Sequence, residues 1–325
     1  MKLQNLGENK LISRIRKDFS KPHPDILAEI GDDAAVIKHG QKFLLITKDL
    51  LFEGVHFLSP LHPPFLLGRK SLMVNLSDVA AMGGLPKFAL LGLGLPPEMD
   101  SSWLQQYFAG FKSAASEEGV ALIGRDISQT KKIAISVTVI GEGKNIIQRD
   151  GAEAGHHIFV SGCLGNARQG LILLKKGYRL GDNKKADPFL KAFLNPSPPI
   201  TLGKELSRLK LVSSMIDISD GLSVDLSHLC EESEVGAEIH LDRLPLSQEI
   251  HHFQRQPYRL ALHGGEDYEL LFSVPPQNLR SLSRLQKKHQ ITFIGRMIEK
   301  RQIFLIDRGG RRSPLSIKGY QHFQK

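Results

Sequence analysis

Cysteine is almost missing from this 325-residue chain: Cys163 and Cys230 are the whole complement, so no disulfide framework holds the fold together. That scarcity suits a reducing compartment, and a cytoplasmic protein is expected. Apolar runs are short, and none reaches the ~20 residues a bilayer-spanning helix needs, which leaves no role for a membrane. Residues 1–19 mix charged with apolar side chains and lack the continuous apolar stretch of a secretory signal. The glycine–lysine phosphate loop of Walker-type nucleotide enzymes is absent, as are the protein-kinase signature set and the nucleophile elbow of serine hydrolases. Gly92-Leu93-Gly94 is only a fragment of a dinucleotide fingerprint. Neither the two cysteines nor the thirteen histidines fall into zinc-ligand spacing. Tryptophan occurs once, and no aromatic stacking platform accompanies the basic stretch 277–325, where twelve Lys and Arg face Glu299 and Asp307. Those cations interleave with core-like runs at 291–294 and 303–306, which argues for a solvated surface and against nucleic acid as a partner.

Short acidic clusters are what the chain does have. They are Gly31-Asp32-Asp33, Lys48-Asp49, Asp78, Arg125-Asp126, Asp217-Ile218-Ser219-Asp220 and Gly265-Glu266-Asp267. Most lie beside a glycine or at the end of an apolar run, where a side chain can reach into a cleft. An Asp-Asp pair in a turn serves either as a turn former or as a bridge between cations, and a strand-end aspartate is open to the same two readings. Asp78 is sharper, because it interrupts an apolar helix, and a carboxylate there must be paired, hydrogen-bonded or metal-bound. Capping explains one of Asp217, Ser219 and Asp220 at a helix start, not all three. Glu266, Asp267 and Glu269 crowd a strand start in a way that structure alone explains poorly. Gathered carboxylates need cations, and all-oxygen donor sets favour hard ions such as Mg2+. Several such ions point to polyphosphate, hence to ATP-dependent phosphoryl transfer.

The length implies two domains, and 41% apolar with 24% charged residues is ordinary for a globular enzyme. Strands are expected at 43–47, 120–123, 133–140, 157–160 and 268–274, with short ones near 291–294 and 303–306. Helices are expected over 64–82, from Asp100 or Ser101 onward, and over 165–176, 220–233 and 276–289. The glycine-rich stretch 151–155 separates an N-terminal domain, 1–150, from a C-terminal one, 151–325. The fold class is α/β (α+β) in two halves.

Taken in order, these segments resemble the thiamine-monophosphate kinases of the aminoimidazole-ribonucleotide-synthetase-like superfamily. The match rests on Gly31-Asp32-Asp33-Ala34-Ala35, Glu53-Gly54-Val55-His56-Phe57, Asn75-Leu76-Ser77-Asp78-Val79-Ala80-Ala81-Met82-Gly83, Asp217-Ile218-Ser219-Asp220-Gly221-Leu222, Gly264-Gly265-Glu266-Asp267-Tyr268-Glu269-Leu270 and Lys318-Gly319-Tyr320. The resemblance implies a homodimer whose N-terminal sheets pair, with ATP and Mg2+ in a cleft between the domains and thiamine monophosphate as acceptor. It further implies Asp33, Thr47, Asp49, Asp78, Asp126, Asp217 and Asp220 as Mg2+ ligands. Arg125, Asp126, Arg149 and Ser219 would meet the nucleotide, and His56, Glu266 and Tyr320 the acceptor. No catalytic base is required on this view. Two departures stand out: Lys48 replaces a hydroxyl residue, and Arg125 replaces a glycine. A selenide-activating relative would need a cysteine before residue 163, and a hydrogenase-maturation relative one at the terminus; neither is present.

Overall fold

The computed structural model describes residues 7–19, 23–28 and 30–320. The first six and last five residues, on which the expectations about a signal segment and a terminal cysteine partly rest, lie outside the described residues.

The first half runs α1 (Glu8–Phe19), β1 (Ile26–Ala28), β2 (Ala35–His39), β3 (Lys42–Phe52), α2 (Pro64–Ala81), β4 (Leu85–Leu95), α3 (Ser101–Glu118), β5 (Ala121–Gln129) and β6 (Ala134–Gly143). Its six strands lie in the order β1-β2-β3-β6-β4-β5. Alternation divides the long strands cleanly. Leu45, Leu51, Ala89, Leu91, Leu93, Ile135, Val137 and Val139 are buried on the inner face, while Leu50, Phe52, Phe88 and Leu90 are exposed on the outer one. Asp100 caps α3 by accepting from the Ser102 N–H at 2.7 Å, and Gly119 closes that helix in the left-handed conformation.

Helix α2 is buried on nearly all sides, because the sheet's inner face, α3 and elements of the second half surround it. Such a helix cannot be amphipathic, which is why its polar residues carry meaning. Gly68 and Gly110 let α2 and α3 touch backbone to backbone. A Cβ on Gly110 would stand 1.8 Å from the Phe65 carbonyl oxygen, and one on Gly68 2.0 Å from that of Tyr107.

The second half runs β7 (His157–Ser161), α4 (Asn166–Lys175), α5 (Asp187–Leu194), α6 (Ile200–Leu209), β8 (Ser214–Asp217), α7 (Leu222–Glu232), β9 (Gly236–His240), α8 (Tyr258–His263), β10 (Leu270–Val274), α9 (Leu279–Leu285), β11 (Ile291–Ile298), β12 (Ile303–Ile306) and β13 (Arg312–Pro314). Its seven strands lie in the order β13-β12-β9-β11-β7-β10-β8. Strand β8 sits at the edge of that sheet, contacts α2, and ends on Asp217. No helix among the described residues is long and apolar enough to cross a membrane.

Several boundaries differ from expectation. Strand β3 does not stop before Asp49; it pairs with β6 through Phe52, so Asp49 lies within it. Strand β5 continues through Gly124-Arg125-Asp126 to Gln129 instead of ending in a loop, because it pairs in parallel with β4. Gly92-Leu93-Gly94 belongs to β4 and not to a phosphate-binding turn. The expected helix 276–289 is a single tight turn at Pro276–Asn278 followed by α9, and α7 begins at Leu222 after Gly221 (φ 119°).

Candidate active site

Three elements converge on one acidic centre. The turn after β1 supplies Asp33, α2 supplies Asp78, and the end of β8 supplies Asp217. One carboxylate oxygen from each lies within 4.8 Å of the other two. Asp78 accepts a hydrogen bond from the Thr47 hydroxyl on β3, and Asp217 accepts one from Ser77 Oγ at 2.7 Å. Strand alternation brings Asp49 to the same side as Thr47, and its backbone N–H donates to Asn75 Oδ1 of α2 at 3.0 Å.

Crowding unpaired acids in a dry place shifts their titration. Burial, followed by the charges of Asp49, Asp217 and Asp33, holds the Asp78 carboxyl well above its usual range, although the Thr47 hydroxyl pulls the other way. Burial, then Asp33, pushes Asp217 up to about 8, and burial raises Asp49 to about 6. Arg149 offsets part of this charge. Its Nη2 donates to Asp33 Oδ1 at 2.7 Å, its Nη1 to the Gly31 carbonyl at 3.1 Å, and its Nε lies 3.7 Å from Asp32 Oδ1. Burial alone would lower that guanidinium's pKa; Asp33 and Asp32 outweigh it and keep the group firmly charged.

Beside this centre opens a cavity of about 530 Å3, whose wall includes Asp49, Asp78, Asp217, Ser219 and Asp220. His56, Glu266 and Tyr320 line it as well. The His56 and Tyr320 rings stand 6.4 Å apart between centroids, tilted by 56°. A strap delivers Tyr320: the Lys318 carbonyl accepts from Ser223 Oγ at 2.6 Å, and the Tyr320 N–H donates to the Asp220 carbonyl at 3.2 Å. Lys48 and Leu50 also line the cavity, although both leave the outer face of β3, so the opening reaches round that strand's free edge.

Two expected residues stand elsewhere in the single chain. Arg125 and Asp126 are exposed on the edge strand β5. Asp126 pairs with Gly92, Gly92 with Ser136, and Ser136 with Leu50, so Asp126 belongs to the outer face. Strands β4 and β6 intervene before β3, a separation of about 14 Å at the usual strand spacing.

The acidic run after Gly265 also divides. Glu266 alone faces the cavity. Asp267 accepts from the Gly165 and Ala167 N–H groups at the start of α4, and Glu269 accepts from Ser161 Oγ; burial raises both carboxyls to about 7. A structural account therefore covers two of the three. Sequence reasoning missed Ser77, which holds Asp217, and Lys70, a buried lysine 3.2 Å from Glu266.

Residues 31–142 match the AIR synthase related protein N-terminal domain, and residues 152–308 the corresponding C-terminal domain. The thiamine-monophosphate kinase of Aquifex aeolicus is 38% identical over 331 residues, spanning 99% of this chain and 100% of that one. This chain belongs to the thiamine-monophosphate kinase family. The Escherichia coli (strain K12) member is 37% identical, covering 98% of each. A solved structure described as AaThiL complexed with AMPPCP and TMP superposes with a TM-score of 0.89 at 37% identity, covering 99% of both chains. Hydrogenase maturation protein HypE in complex with ATP, at 18% identity and a TM-score of 0.70, shares the fold alone.

Proposed function

We propose that this protein transfers the γ-phosphoryl group of ATP to the phosphate of thiamine monophosphate, giving thiamine diphosphate and ADP. One observation carries the reading: the buried carboxylate centre opens into the same cavity that His56, Glu266 and Tyr320 line, within a fold whose relative was solved with AMPPCP and TMP. The donors are all oxygen, and their pKa values, raised by burial and then by mutual repulsion, mark a cost that a hard cation such as Mg2+ would relieve. Asp33, Asp78 and Asp217 would hold it, with Asp49, Asp220 and Thr47 available for further ions. When bound, Mg2+ supplies charge neutralisation for two approaching polyanions.

The remaining work falls to the chain's own groups. Asp33 is tied to Arg149, which leaves that cation beside the acidic centre, where it can meet a nucleotide phosphate. Tyr320 and His56 offer ring faces to the acceptor's aromatic rings, and Glu266 offers a carboxylate to its cationic one. An acceptor phosphate oxygen, largely ionised near neutral pH because its second pKa is about 6, displaces ADP at the γ-phosphorus in line. Proton removal is not needed, so no side chain is assigned as general base.

A homodimer forms part of the same reading. Leu50, Phe52, Phe88 and Leu90 are large exposed apolar side chains on the outer face of β3 and β4. A contiguous apolar face of this kind suits a second copy. Asp126 lies on it, and the cavity reaches round to it at Lys48 and Leu50. Closing the dimer there would carry one subunit's Arg125 and Asp126 towards the other's site. A cytoplasmic location is supported by the two unpaired cysteines.

Purified protein incubated with ATP, Mg2+ and thiamine monophosphate should form thiamine diphosphate, resolved by chromatography, and EDTA should stop it. ATP binding without that product would overturn the acceptor.

A further inference from the structure

Lys70 is the most deeply buried cation in the described structure, 1% exposed, on a helix buried on nearly all sides. Placing an ammonium there costs several kcal/mol unless partners replace its water. Its Nζ donates to the Phe193 carbonyl at 3.0 Å and to Glu266 Oε2 at 3.2 Å, and sits 4.1 Å from the centroid of the Phe193 ring. Lys70 itself does not line the cavity, whereas Glu266 does.

Glu266 needs such a partner because its backbone is unusual. Gly265, Glu266 and Tyr268 all have left-handed backbones, at φ 68°, 61° and 51°. Two non-glycine residues held there cost roughly 1 kcal/mol or more each and persist only where the surroundings fix them. The main chain is fixed by bonds from the Glu266 N–H to the Ser219 carbonyl (2.7 Å) and from the Tyr268 N–H to the Ile218 carbonyl (2.8 Å). Those contacts set where the Glu266 side chain starts. Lys70 sets where it ends.

We infer that Lys70 is a positioning residue for the acceptor: it fixes one Glu266 oxygen and leaves the other to meet the substrate from the cavity wall. Lys70, Val74 and Asp78 recur every four residues along α2, and Val74 and Asp78 line the cavity. The acceptor's carboxylate contact is therefore referenced to the same rigid helix that carries a carboxylate of the acidic centre. This inference rests on Glu266 contacting the acceptor in the proposed reaction.

A kinetic double-mutant cycle tests it, using the full-length enzyme with Lys70→Met, Glu266→Gln and the double variant. Lys70→Met should raise KM for thiamine monophosphate about tenfold, the scale of one charge-assisted hydrogen bond. Its kcat and its KM for ATP should stay within about twofold. The double variant should be no worse than Glu266→Gln alone. Lys70→Gln is run alongside, because it keeps a donor for the Phe193 carbonyl while removing the charge; whichever variant folds decides. Multiplying effects, or an unchanged KM for thiamine monophosphate in the Lys70 variants while Glu266→Gln raises it, would overturn the positioning role and leave the proposed reaction standing. An unchanged KM in Glu266→Gln would remove the substrate contact and this inference with it. A wild type that makes no thiamine diphosphate would fail the reaction itself.

Discussion

Replacing Asp217 by Asn should stabilise the metal-free protein while abolishing its activity. Asp217 is 3% exposed, and burial followed by Asp33 moves its carboxyl from 3.8 to about 8. Below about pH 4 the carboxyl is protonated in both folded and unfolded chains, so nothing is lost. Between about 4 and 8 the unfolded chain releases the proton and the folded chain keeps it. The folded state then binds more protons, and stability falls as the pH rises, levelling off above about 8. At pH 7 roughly three pH units have accumulated at ~1.4 kcal/mol each, a cost of about 4 kcal/mol. A carboxamide has no proton to lose, and its oxygen can still accept from Ser77 Oγ. Its NH2 group needs a partner, which takes back about 1–2 kcal/mol. A net gain of about 2 kcal/mol at pH 7 in EDTA is expected. Urea midpoints from pH 5 to 8.5 would measure it, and the wild-type decline with pH should flatten in the variant. Adding Mg2+ should reverse the order, because only the wild type keeps the full acidic centre, and thiamine diphosphate formation by the variant should be nearly nil. A variant less stable than wild type in EDTA, or one that Mg2+ stabilises equally, would refute the link between the acidic centre and a cation.

Mixing two inactive variants, Asp126→Asn and Asp217→Asn, should restore about a quarter of wild-type turnover if subunits exchange, since half of the dimers carry one intact site of two; no recovery after verified exchange would return Asp126 to a surface role. Leu90→Asp should weaken the apolar outer face and shift the protein towards monomer by light scattering, with activity falling in parallel. Tyr320→Ala should chiefly raise KM for thiamine monophosphate. Ser223→Ala, which removes the hydroxyl pinning the Lys318 carbonyl, should have the same sign at a few-fold, since one such bond is worth about 1 kcal/mol; a fall in kcat instead would mean that the strap does more than carry Tyr320. Gly110→Ala should lower thermal stability by about 1–3 kcal/mol, as expected for overpacking, because its Cβ would stand 1.8 Å from the Phe65 carbonyl oxygen.

Residue type and local period revealed the acidic centre, but not the side of the sheet on which each acid stands. Asp78 was recognisable because a carboxylate inside an apolar helix must find a partner, and it found Thr47. Asp49 and Asp126 looked equivalent in sequence, each an aspartate after a short apolar run. Pairing separates them: Asp49 faces inward opposite Val137, whereas Asp126 shares the outer row with Gly92, Ser136 and Leu50. Strand ends were equally hidden, since β5 is exposed along its length and carries no alternation to read. Lys70 was hidden for a different reason. Lysine ordinarily belongs to a solvated face, so composition gives it no weight. Its spacing does: on a helix buried on nearly all sides, Lys70, Val74 and Asp78 fall on one stripe, and its two charged members stand out on it. A polar side chain that recurs at helical spacing on a largely buried helix must be answered by another group. On α2 that group is Glu266 for Lys70 and the Thr47 hydroxyl for Asp78.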